Sequence, residues 1–335
     1  MESGGPAGRK RPGERETRGH GAVTGAGAER KVAGKAESRQ GVNGKTQLVG
    51  LIGHGIDYTL SPAMHNAAFR ARGMNWIYVP LRVAPGGLRA AMEGLRALGF
   101  RGANVTVPHK LEAALLVDEL LGDAALLGAV NTLLVEGNRL LGYNTDVAGF
   151  RSFMEEEGIE TKGRPVLIIG AGGAARAVGL AVAREGASHI FILNRTEKKA
   201  REMAGLLKRE IATTEIRVER PGCETSDMLR HSALVVNCTP LDAVAEGMLT
   251  LPPDAFGEGG WAVDLKYGFR ESAFLGEAAR CGARVADGSG MLIHQASASF
   301  RIWTGEVPPL AEMREAYLHA LGENMEEKAG KDAEA

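Results

Sequence analysis

Residues 165–187 read PVLIIGAGGAARAVGLAVAREGA, and this stretch decides the predicted fold. Four consecutive β-type residues, 166–169, precede a glycine-rich turn, and a helical pattern then continues to a stop at Gly186. The turn, residues 170–175, matches G-x-G-x-x-G/A with Ala175 in the third small position. Glycines allow a tight turn and let the backbone approach a pyrophosphate at the N-terminus of the following helix. The stretch therefore predicts a strand, turn and helix that bind a dinucleotide.

The same stretch is apolar enough to raise the question of a membrane span. Arg176 and several glycines interrupt the run between residues 165 and 183. A membrane-spanning helix needs about 20 mostly apolar residues. We therefore predict that this chain has no membrane partner.

The end of the next strand, HIFILNRT (189–196), indicates which dinucleotide binds. An NAD site usually places Asp or Glu there to hold the ribose hydroxyls. This chain instead has Asn194, Arg195 and Thr196, followed by Lys198 and Lys199. The planar fork of an arginine can bind a 2′-phosphate, so NADP is the predicted cofactor. The alternative is a basic loop that only contacts solvent.

Strand and helix patterns alternate through the rest of the chain. Further strands are predicted at 47–53, 75–83, 102–107, 233–240 and 261–267, with helices near 62–72 and 85–98. A hairpin is predicted at 129–146, around the turn Glu136-Gly137-Asn138. The 335 residues are too many for one average domain. The pattern predicts an α/β protein of two domains with mostly parallel sheets.

Composition excludes several classes of partner. A net charge of −1 gives no overall attraction to nucleic acid. The three cysteines are scattered, which fits a reducing cytoplasm, and no metal-ligand spacing is visible among the eight histidines. We therefore expect no structural metal, no nucleic-acid partner and a cytoplasmic location.

The two ends of the chain have a different composition. Residues 1–45 contain ten Lys and Arg against five Glu, hence a charge of +5, and eleven glycines. Such a segment cannot bury enough surface to order itself, so residues 1–46 are predicted to be a disordered extension. A transit peptide is the alternative, although five glutamates are too acidic for that class. Residues 323–335 are predicted to be a disordered polar tail.

Several polar residues in the first half suggest a small, polyhydroxylated acid as ligand. Ser61 suits a helix N-cap, but its hydroxyl and that of Thr59 could also bind a carboxylate. Pro108 is predicted as the first helical residue, which places Lys110 in a first turn where a cation opposes the helix dipole. Other polar side chains at strand ends, each explicable alone as turn chemistry, are Asn104, Thr106, Asn131, Thr132, Asn144, Thr145 and Asp146.

Taken together, these motifs resemble shikimate dehydrogenase, over residues 47–322. The matching stretches are TLSPAMHNAAF (59–69), GANVTVPHK (102–110), GAVNTL (128–133), GYNTDVAGF (142–150), GAGGAARA (170–177), NRT (194–196), NCTPL (237–241), DLKY (264–267) and DGSGMLIHQ (287–295). The resemblance implies reversible reduction of 3-dehydroshikimate to shikimate by NADPH, in the chorismate and aromatic amino-acid pathway. A minority of such proteins prefer quinate, and relaxed use of substrate or cofactor stays an alternative.

The resemblance also implies the roles of individual residues. Lys110 and Asp146 are the implied catalytic pair. The implied substrate contacts are Thr59, Ser61, Thr106, Asn131, Asp146, Tyr267 and Gln295. The implied cofactor contacts are Gly170, Ala171, Gly172, Gly173, Ala174, Asn194, Arg195, Thr196, Lys199, Leu265 and Gly288. Thr59 stands where the family usually has serine, and Lys199 where it often has arginine, so the preference for shikimate and the selectivity for NADP stay open.

The implied architecture is a substrate domain of residues 47–146 plus 289–322, with a Rossmann-type NADP-binding domain, residues 147–288, inserted between them. We expect a monomer or a homodimer. Two other interpretations are a methylenetetrahydrofolate dehydrogenase-like enzyme and a non-catalytic sensor of a pathway metabolite. The DGSGMLIHQ stretch argues against the first, and the presence of both Lys110 and Asp146 argues against the second.

Overall fold

The computed structural model of the chain describes Met1 and residues 41–221, 226–268 and 272–334, with side chains described as far as residue 326. Most of the extension predicted at residues 1–46 therefore lies outside the described residues. The described chain forms α/β structure around two six-stranded sheets. This confirms the predicted fold class.

The first sheet is built from the N-terminal part of the chain. Its strands are β1 (Gln47–Gly53), β2 (Trp76–Arg82), β3 (Phe100–Val105), β4 (Glu119–Leu120), β5 (Thr132–Glu136) and β6 (Arg139–Tyr143). The strand order is β2-β1-β3-β5-β6-β4, in which β5 is antiparallel to both of its neighbours and the other pairs are parallel. The helices between these strands are α1 (Ser61–Ala71), α2 (Leu88–Ala97), α3 (Lys110–Leu116) and α4 (Asp123–Leu127).

The second sheet is entirely parallel. Its strands are β7 (Val166–Ile169), β8 (His189–Leu193), β9 (Glu215–Glu219), β10 (Leu234–Asn237), β11 (Trp261–Asp264) and β12 (Arg284–Asp287). Their order, β9-β8-β7-β10-β11-β12, is the 3-2-1-4-5-6 order of the Rossmann fold. Since the order reverses between β7 and β10, a crevice opens at the carboxyl ends of these two strands.

The remaining helices cover the second sheet and return to the first. They are α5 (Asp146–Glu157), α6 (Gly173–Arg184), α7 (Glu197–Glu210), α8 (Ser226–His231), α9 (Ala273–Arg280), α10 (Ser289–Thr304) and α11 (Leu310–Glu334). Helix α5 packs against both α6 and α10, while α11 packs against α1. Of the C-terminal helices, α10 contacts β3 and β5 of the first sheet, and α11 reaches it through α1. The exact domain bounds stay a prediction, because the proposed boundary at residues 146 and 147 falls within the first turn of α5.

Two predicted helix starts are wrong. Helix α1 begins at Ser61 itself, its N-cap is Leu60, and no side chain caps it, so Ser61 is not the N-cap residue. Helix α3 begins at Lys110 rather than Pro108. The backbone N–H of His109 donates to the carbonyl oxygen of Thr106 (2.9 Å), which closes a turn ahead of the helix. Lys110 nevertheless lies in a first helical turn, as predicted.

The structure also differs from the sequence interpretation at its edges. Helix α11 continues to Glu334, whereas residues 323–335 were expected to be a disordered tail. Its Ala, Glu, Lys and Met residues are strong helix formers, which explains the difference. Strands β4, β9 and β12 were not predicted, although the five residues of β9, EIRVE, alternate between polar and apolar. In the described part of the chain, no helix has the length and apolar character needed to cross a membrane, and no group of three or more His, Cys, Asp or Glu residues could hold a metal ion.

Candidate active site

An open cleft of about 750 Å³ lies where the carboxyl ends of the two sheets face each other. All eight residues predicted for catalysis and substrate binding line it, namely Thr59, Ser61, Thr106, Lys110, Asn131, Asp146, Tyr267 and Gln295. Three of the predicted cofactor residues, Ala174, Leu265 and Gly288, line it as well. The fold therefore brings residues from seven separate stretches of sequence to one cavity.

Lys110 and Asp146 form an ion pair in this cleft. Lys110 Nζ donates to Asp146 Oδ2 at 2.5 Å. The side chains are 16% and 5% exposed, so solvent screens the pair only weakly. Each is the first residue of its helix, Lys110 of α3 and Asp146 of α5. A carboxylate at a helix N-terminus is stabilised by the helix dipole, whereas an ammonium there is destabilised. The ion pair with Asp146 therefore provides the electrostatic stabilisation of Lys110 that the dipole of α3 does not.

Asn131 fixes the second oxygen of the Asp146 carboxylate. Its Nδ2 donates to Asp146 Oδ1 (2.9 Å), while its Oδ1 accepts the backbone N–H of Thr145 (2.8 Å). A backbone N–H can only donate, so the orientation of the Asn131 amide is determined. Asn131 Nδ2 also lies 3.3 Å from Gln295 Oε1, which links the pair to helix α10. Asp146 is thus held on one oxygen and binds Lys110 with the other.

A buried polar network extends from this group to the back of the first sheet. Asn104 lines the cleft, and its Nδ2 approaches Thr132 Oγ1 (3.0 Å) and Ser299 Oγ (2.9 Å). The Tyr78 hydroxyl donates to Asn104 Oδ1 at 2.9 Å. Burial raises the pKa of Tyr78 well above its usual value, with the Ser61 hydroxyl acting in the opposite direction. Tyr78 therefore remains a neutral donor that holds Asn104 in place.

Sequence reasoning did not identify Tyr78 or Ser299 as part of the site. Tyr78 lies in the middle of an ordinary apolar strand, and Ser299 lies on the buried face of α10. Nothing local distinguishes either residue, since the order of β2, β1 and β3 in the first sheet brings Tyr78 to Asn104 and the packing of α10 on that sheet brings Ser299 there. Tyr58, which also lines the cleft, could have been found from its position next to Thr59.

The hydroxyls of Thr59 and Ser61 lie at the start of α1. Thr59 Oγ1 accepts the backbone N–H of Ser61 at 3.4 Å. Because Ser61 is not the N-cap, its hydroxyl has no capping role to explain it. Two hydroxyls beside the N-terminus of an eleven-residue helix are suited to bind a carboxylate.

The predicted dinucleotide loop has the geometry that such a ligand needs. Gly170 has φ +114°, a conformation that L side chains rarely adopt. Gly172 is the N-cap of α6, and a Cβ added to it would meet no atom within 4 Å, so the loop is open on that side. The residues present therefore fit a pyrophosphate at the N-terminus of α6.

The predicted 2′-phosphate residues lie at the end of the neighbouring strand. Gly170 N–H donates to Leu193 O (2.8 Å), so the stretch that begins at Asn194 lies beside the dinucleotide loop. Arg195, Thr196 and Lys199 are exposed there, and none of them reaches the cleft. A Cβ added to Gly288 would lie 2.3 Å from Leu265 O, so the close approach of these two cleft residues requires glycine.

A Rossmann-type domain joined to a second α/β domain, with a Lys–Asp pair in the cleft between them, defines a two-domain, dinucleotide-dependent oxidoreductase. Family models match the chain as the shikimate dehydrogenase substrate binding domain over residues 51–133, as shikimate/quinate 5-dehydrogenase over 154–238 and as the shikimate 5'-dehydrogenase C-terminal domain over 288–316. The chain belongs to the shikimate dehydrogenase family. The predicted family is confirmed.

Individual relatives agree with this placement. The chain is 43% identical to the NADP(+)-dependent shikimate dehydrogenase of Moorella thermoacetica, over 84% of this chain and 96% of that protein. The Thermus thermophilus shikimate 5-dehydrogenase, solved with NADP(H) and shikimate, matches with a TM-score of 0.71 and 34% identity, over 82% of this chain and 99% of that one. The Corynebacterium glutamicum quinate dehydrogenase, solved with NAD, matches with a TM-score of 0.73 and 31% identity, over the same shares.

Proposed function

We propose that this chain catalyses the reversible, NADPH-dependent reduction of 3-dehydroshikimate to shikimate, as its family relatives are named for doing. The observation that carries the proposal is the Lys110–Asp146 ion pair, at 2.5 Å. It lies in a cleft that is bordered on one side by the N-terminus of α1, which is suited to bind an acid, and on the other by the Rossmann-type domain. The activity, the enzyme class and the cofactor all follow from the sequence interpretation and agree with the relatives.

The proton chemistry is assigned to Lys110. NADPH supplies the hydride when bound. Hydride addition to a ketone leaves an alkoxide, which needs a proton donor within hydrogen-bond reach. The Lys110 ammonium donates that proton, and the amine accepts it again in the oxidation direction. Asp146, fixed by Asn131, orients the ammonium and stabilises its positive charge.

The substrate is held by groups at both ends of the cleft. We assign the carboxylate to the hydroxyls of Thr59 and Ser61. The ring hydroxyls bind polar groups deeper in the cleft, which are the amides and hydroxyls of Thr106, Asn131, Tyr267 and Gln295 and the carboxylate of Asp146. Several neutral groups share this binding, so the loss of one raises the Michaelis constant without removing the proton donor.

The cofactor is held by the second domain. We assign the pyrophosphate to residues 170–174 and the 2′-phosphate to Arg195, with Asn194, Thr196 and Lys199 around it. Leu265 and Gly288 lie in the cleft and are assigned to the part of the cofactor that enters it.

Quinate is the second candidate substrate. The match to a quinate dehydrogenase favours it, while the methyl group of Thr59, which narrows the carboxylate end, leaves the preference between the two acids open. Membership of the family contradicts the folate-enzyme interpretation. The sensor interpretation predicts binding without turnover.

One assay separates these possibilities. Purified protein is given shikimate or quinate with NADP⁺ or NAD⁺, and formation of reduced nicotinamide is followed. We expect the highest kcat/KM for shikimate with NADP⁺. A higher value for quinate would assign the second function, and binding without any turnover would assign the sensor. A small-molecule substrate is the only partner we propose. Three statements stay predictions: a cytoplasmic location, the absence of a nucleic-acid partner, and a monomeric or dimeric state.

A further inference from the structure

Helix α6, the helix that follows the dinucleotide loop, also contacts the other half of the active site. Arg176, in its first turn, donates from Nη1 to the carbonyl oxygen of Leu127 at 3.0 Å. Leu127 is the last residue of α4, and Gly128 ends that helix in the left-handed conformation. A carbonyl at a helix C-terminus lacks an intrahelical partner and attracts a cation. The guanidinium therefore satisfies a group that α4 leaves open.

The four residues that follow Leu127, here called the 128–131 loop, contact every catalytic group. The backbone N–H of Val130 donates to the carbonyl oxygen of Lys110 (2.9 Å). The carbonyl oxygen of Ala129 accepts from Asn144 Nδ2 (3.0 Å), and Asn144 Oδ1 accepts the N–H of Asp146 (3.0 Å).

The loop ends at Asn131, whose Nδ2 donates to the Asp146 carboxylate. Ala129 and Val130 are fully buried, so the loop has little freedom to adjust independently. A displacement of its first residue is therefore transmitted to Lys110, Asn131 and Asp146 together.

The same helix also contacts Lys110 directly. A Cβ added to Gly173 would lie 3.3 Å from Lys110 Cδ and 3.4 Å from its Cβ, so the aliphatic part of the lysine packs on the backbone of α6. Arg176 itself is costly to bury. Burial lowers its pKa, with the Glu202 carboxylate opposing the shift, and its Nε has no hydrogen-bond partner among the described residues. A half-buried cation with one hydrogen bond adds little stability, which favours a role in alignment.

We propose that Arg176 is a positioning residue, which holds the 128–131 loop from the cofactor-binding domain and so aligns Lys110 with Asp146 and Asn131. This inference rests on the proposed function. Arg176 touches neither substrate nor the reacting atoms, and it acts through the loop. Through Arg176, proton transfer by Lys110 in the substrate domain depends on the position of helix α6 in the cofactor-binding domain.

The test compares two arginines of α6 that both bind α4. Arg176→Met removes the bond to Leu127, at the end of α4. Arg184→Met removes the ion pair with Asp123 (2.8 Å), at the start of α4, and is the matched control. We expect Arg176→Met to lower kcat about ten- to a hundredfold, the range for a small misplacement of catalytic groups. NADPH affinity, measured by fluorescence titration, should stay unchanged, and Arg184→Met should keep wild-type kcat.

A second comparison separates alignment from general damage. In a Lys110→Ala background, where the aligned group is absent, Arg176→Met should cause no further loss of kcat. A multiplicative loss there, or an equal loss of kcat in Arg184→Met, overturns the proposal. If Arg176→Met does not fold, Arg176→Lys is used in its place. We expect a smaller loss of kcat in that variant, and a wild-type kcat would overturn the inference. Wild-type turnover of shikimate tests the proposed function, whereas only ratios between variants test Arg176.

Discussion

Lys110 opposes the dipole of its own helix, and its position makes sense only with Asp146. The two residues are 36 positions apart in sequence, yet Nζ and Oδ2 lie 2.5 Å from each other. A lysine needed only for solubility would not be placed at 16% exposure beside a carboxylate that Asn131 holds in turn. At the scale of single residues, the site is defined by the hydrogen bonds that hold Lys110, Asp146 and Asn131 in position.

Replacement of Lys110 tests its role as proton donor. Lys110→Ala should keep substrate and NADP binding while lowering kcat about 10²–10⁴-fold, the usual range for a positioned acid or base. Asp146→Asn should be similarly impaired because the ammonium loses its orienting charge. Since both residues act in one step, the double variant should be little worse than either single one. Steady-state kinetics measure all three, and additive losses or a near-normal Lys110→Ala would refute the mechanism.

Ser61 tests the carboxylate end of the cleft. Its hydroxyl does not cap α1, so Ser61→Ala should leave the free energy of unfolding nearly unchanged. Losing a hydrogen bond to a charged group costs about 1.5–3 kcal/mol, so the Michaelis constant for shikimate should rise about ten- to a hundredfold. Thr59→Ala should act in the same direction.

Ser272 provides the contrast for Ser61, because its side chain does cap a helix, accepting from Leu275 N at 3.2 Å. Ser272→Ala should lower the free energy of unfolding by about 0.5–2 kcal/mol in a denaturant titration. A Ser61→Ala protein that loses as much stability, with an unchanged Michaelis constant, would show that Ser61 is structural.

Arg195 tests the selectivity for NADP. Arg195→Ala should weaken NADP binding about ten- to a hundredfold, by the loss of charge-assisted hydrogen bonds to the 2′-phosphate, and leave NAD binding unchanged. Lys208→Ala, at the other end of α7, makes the same change in net charge away from the site and is the control. Equal weakening of both cofactors by Arg195→Ala, measured by titration, would remove the support for this assignment.

Among the secondary-structure elements, the crossing of α5 and α10 brings Asp146 and Gln295 to the same cleft. The two helices approach closely because Gly149 has no side chain. A Cβ added there would lie 2.7 Å from the Cβ of Gln295 and 2.8 Å from its backbone N. Backbone atoms cannot rotate away, so any side chain at this position moves α10. The glycine thus sets the distance between the carboxylate of Asp146 and the amide of Gln295, which are the groups proposed for catalysis and substrate binding.

Gly149→Ala should therefore affect both stability and binding. Overpacking of this kind costs about 1–3 kcal/mol, and the displaced Gln295 should raise the Michaelis constant for shikimate. Gly205→Ala in α7 is the matched control, because nothing lies within 4 Å of its added Cβ. That control should gain about 0.4–1 kcal/mol and keep wild-type kinetics. Thermal melts and kinetics of both variants test the prediction, and identical behaviour would contradict it.

At the scale of the whole molecule, the chain combines two sheets whose carboxyl ends share one cleft, with α5, α6 and α10 between them. Within the described residues from 41 onward, the first side-chain hydrogen bonds to a distant part of the chain are those of Asn43 and Thr46 with Asn75.

Removal of residues 1–40 should leave the melting temperature and turnover unchanged, because that composition has no core to contribute. Removal of residues 1–46 should lower the melting temperature slightly, since Thr46 Oγ1 then no longer donates to Asn75 Oδ1 (2.8 Å). Insoluble or inactive protein after the shorter truncation would contradict the prediction.

Contiguous patterns of residue types are enough to predict the local units of this protein. The strand, glycine turn and helix at 165–187, the hairpin around Gly137 and the basic stretch after β8 are each contiguous, so periodicity and turn chemistry are enough to predict them. The candidate site residues came from motifs of a few residues each. The edge strands β9 and β12 were not predicted because they are short, five and four residues, and only partly buried.

How these units meet depends on contacts between residues that are far apart in the sequence. The pairing of Lys110 with Asp146, the orientation of Asn131 and the bond from Arg176 to Leu127 O join residues 14 to 49 positions apart. The prediction that Ser61 caps a helix is also wrong, because Leu60 takes the N-cap position of α1 in the structure. The physical reason is that a hydrogen bond depends on distances of a few ångströms between separate elements. Those distances are set by the packing of whole helices and sheets, which no local pattern of residue types specifies.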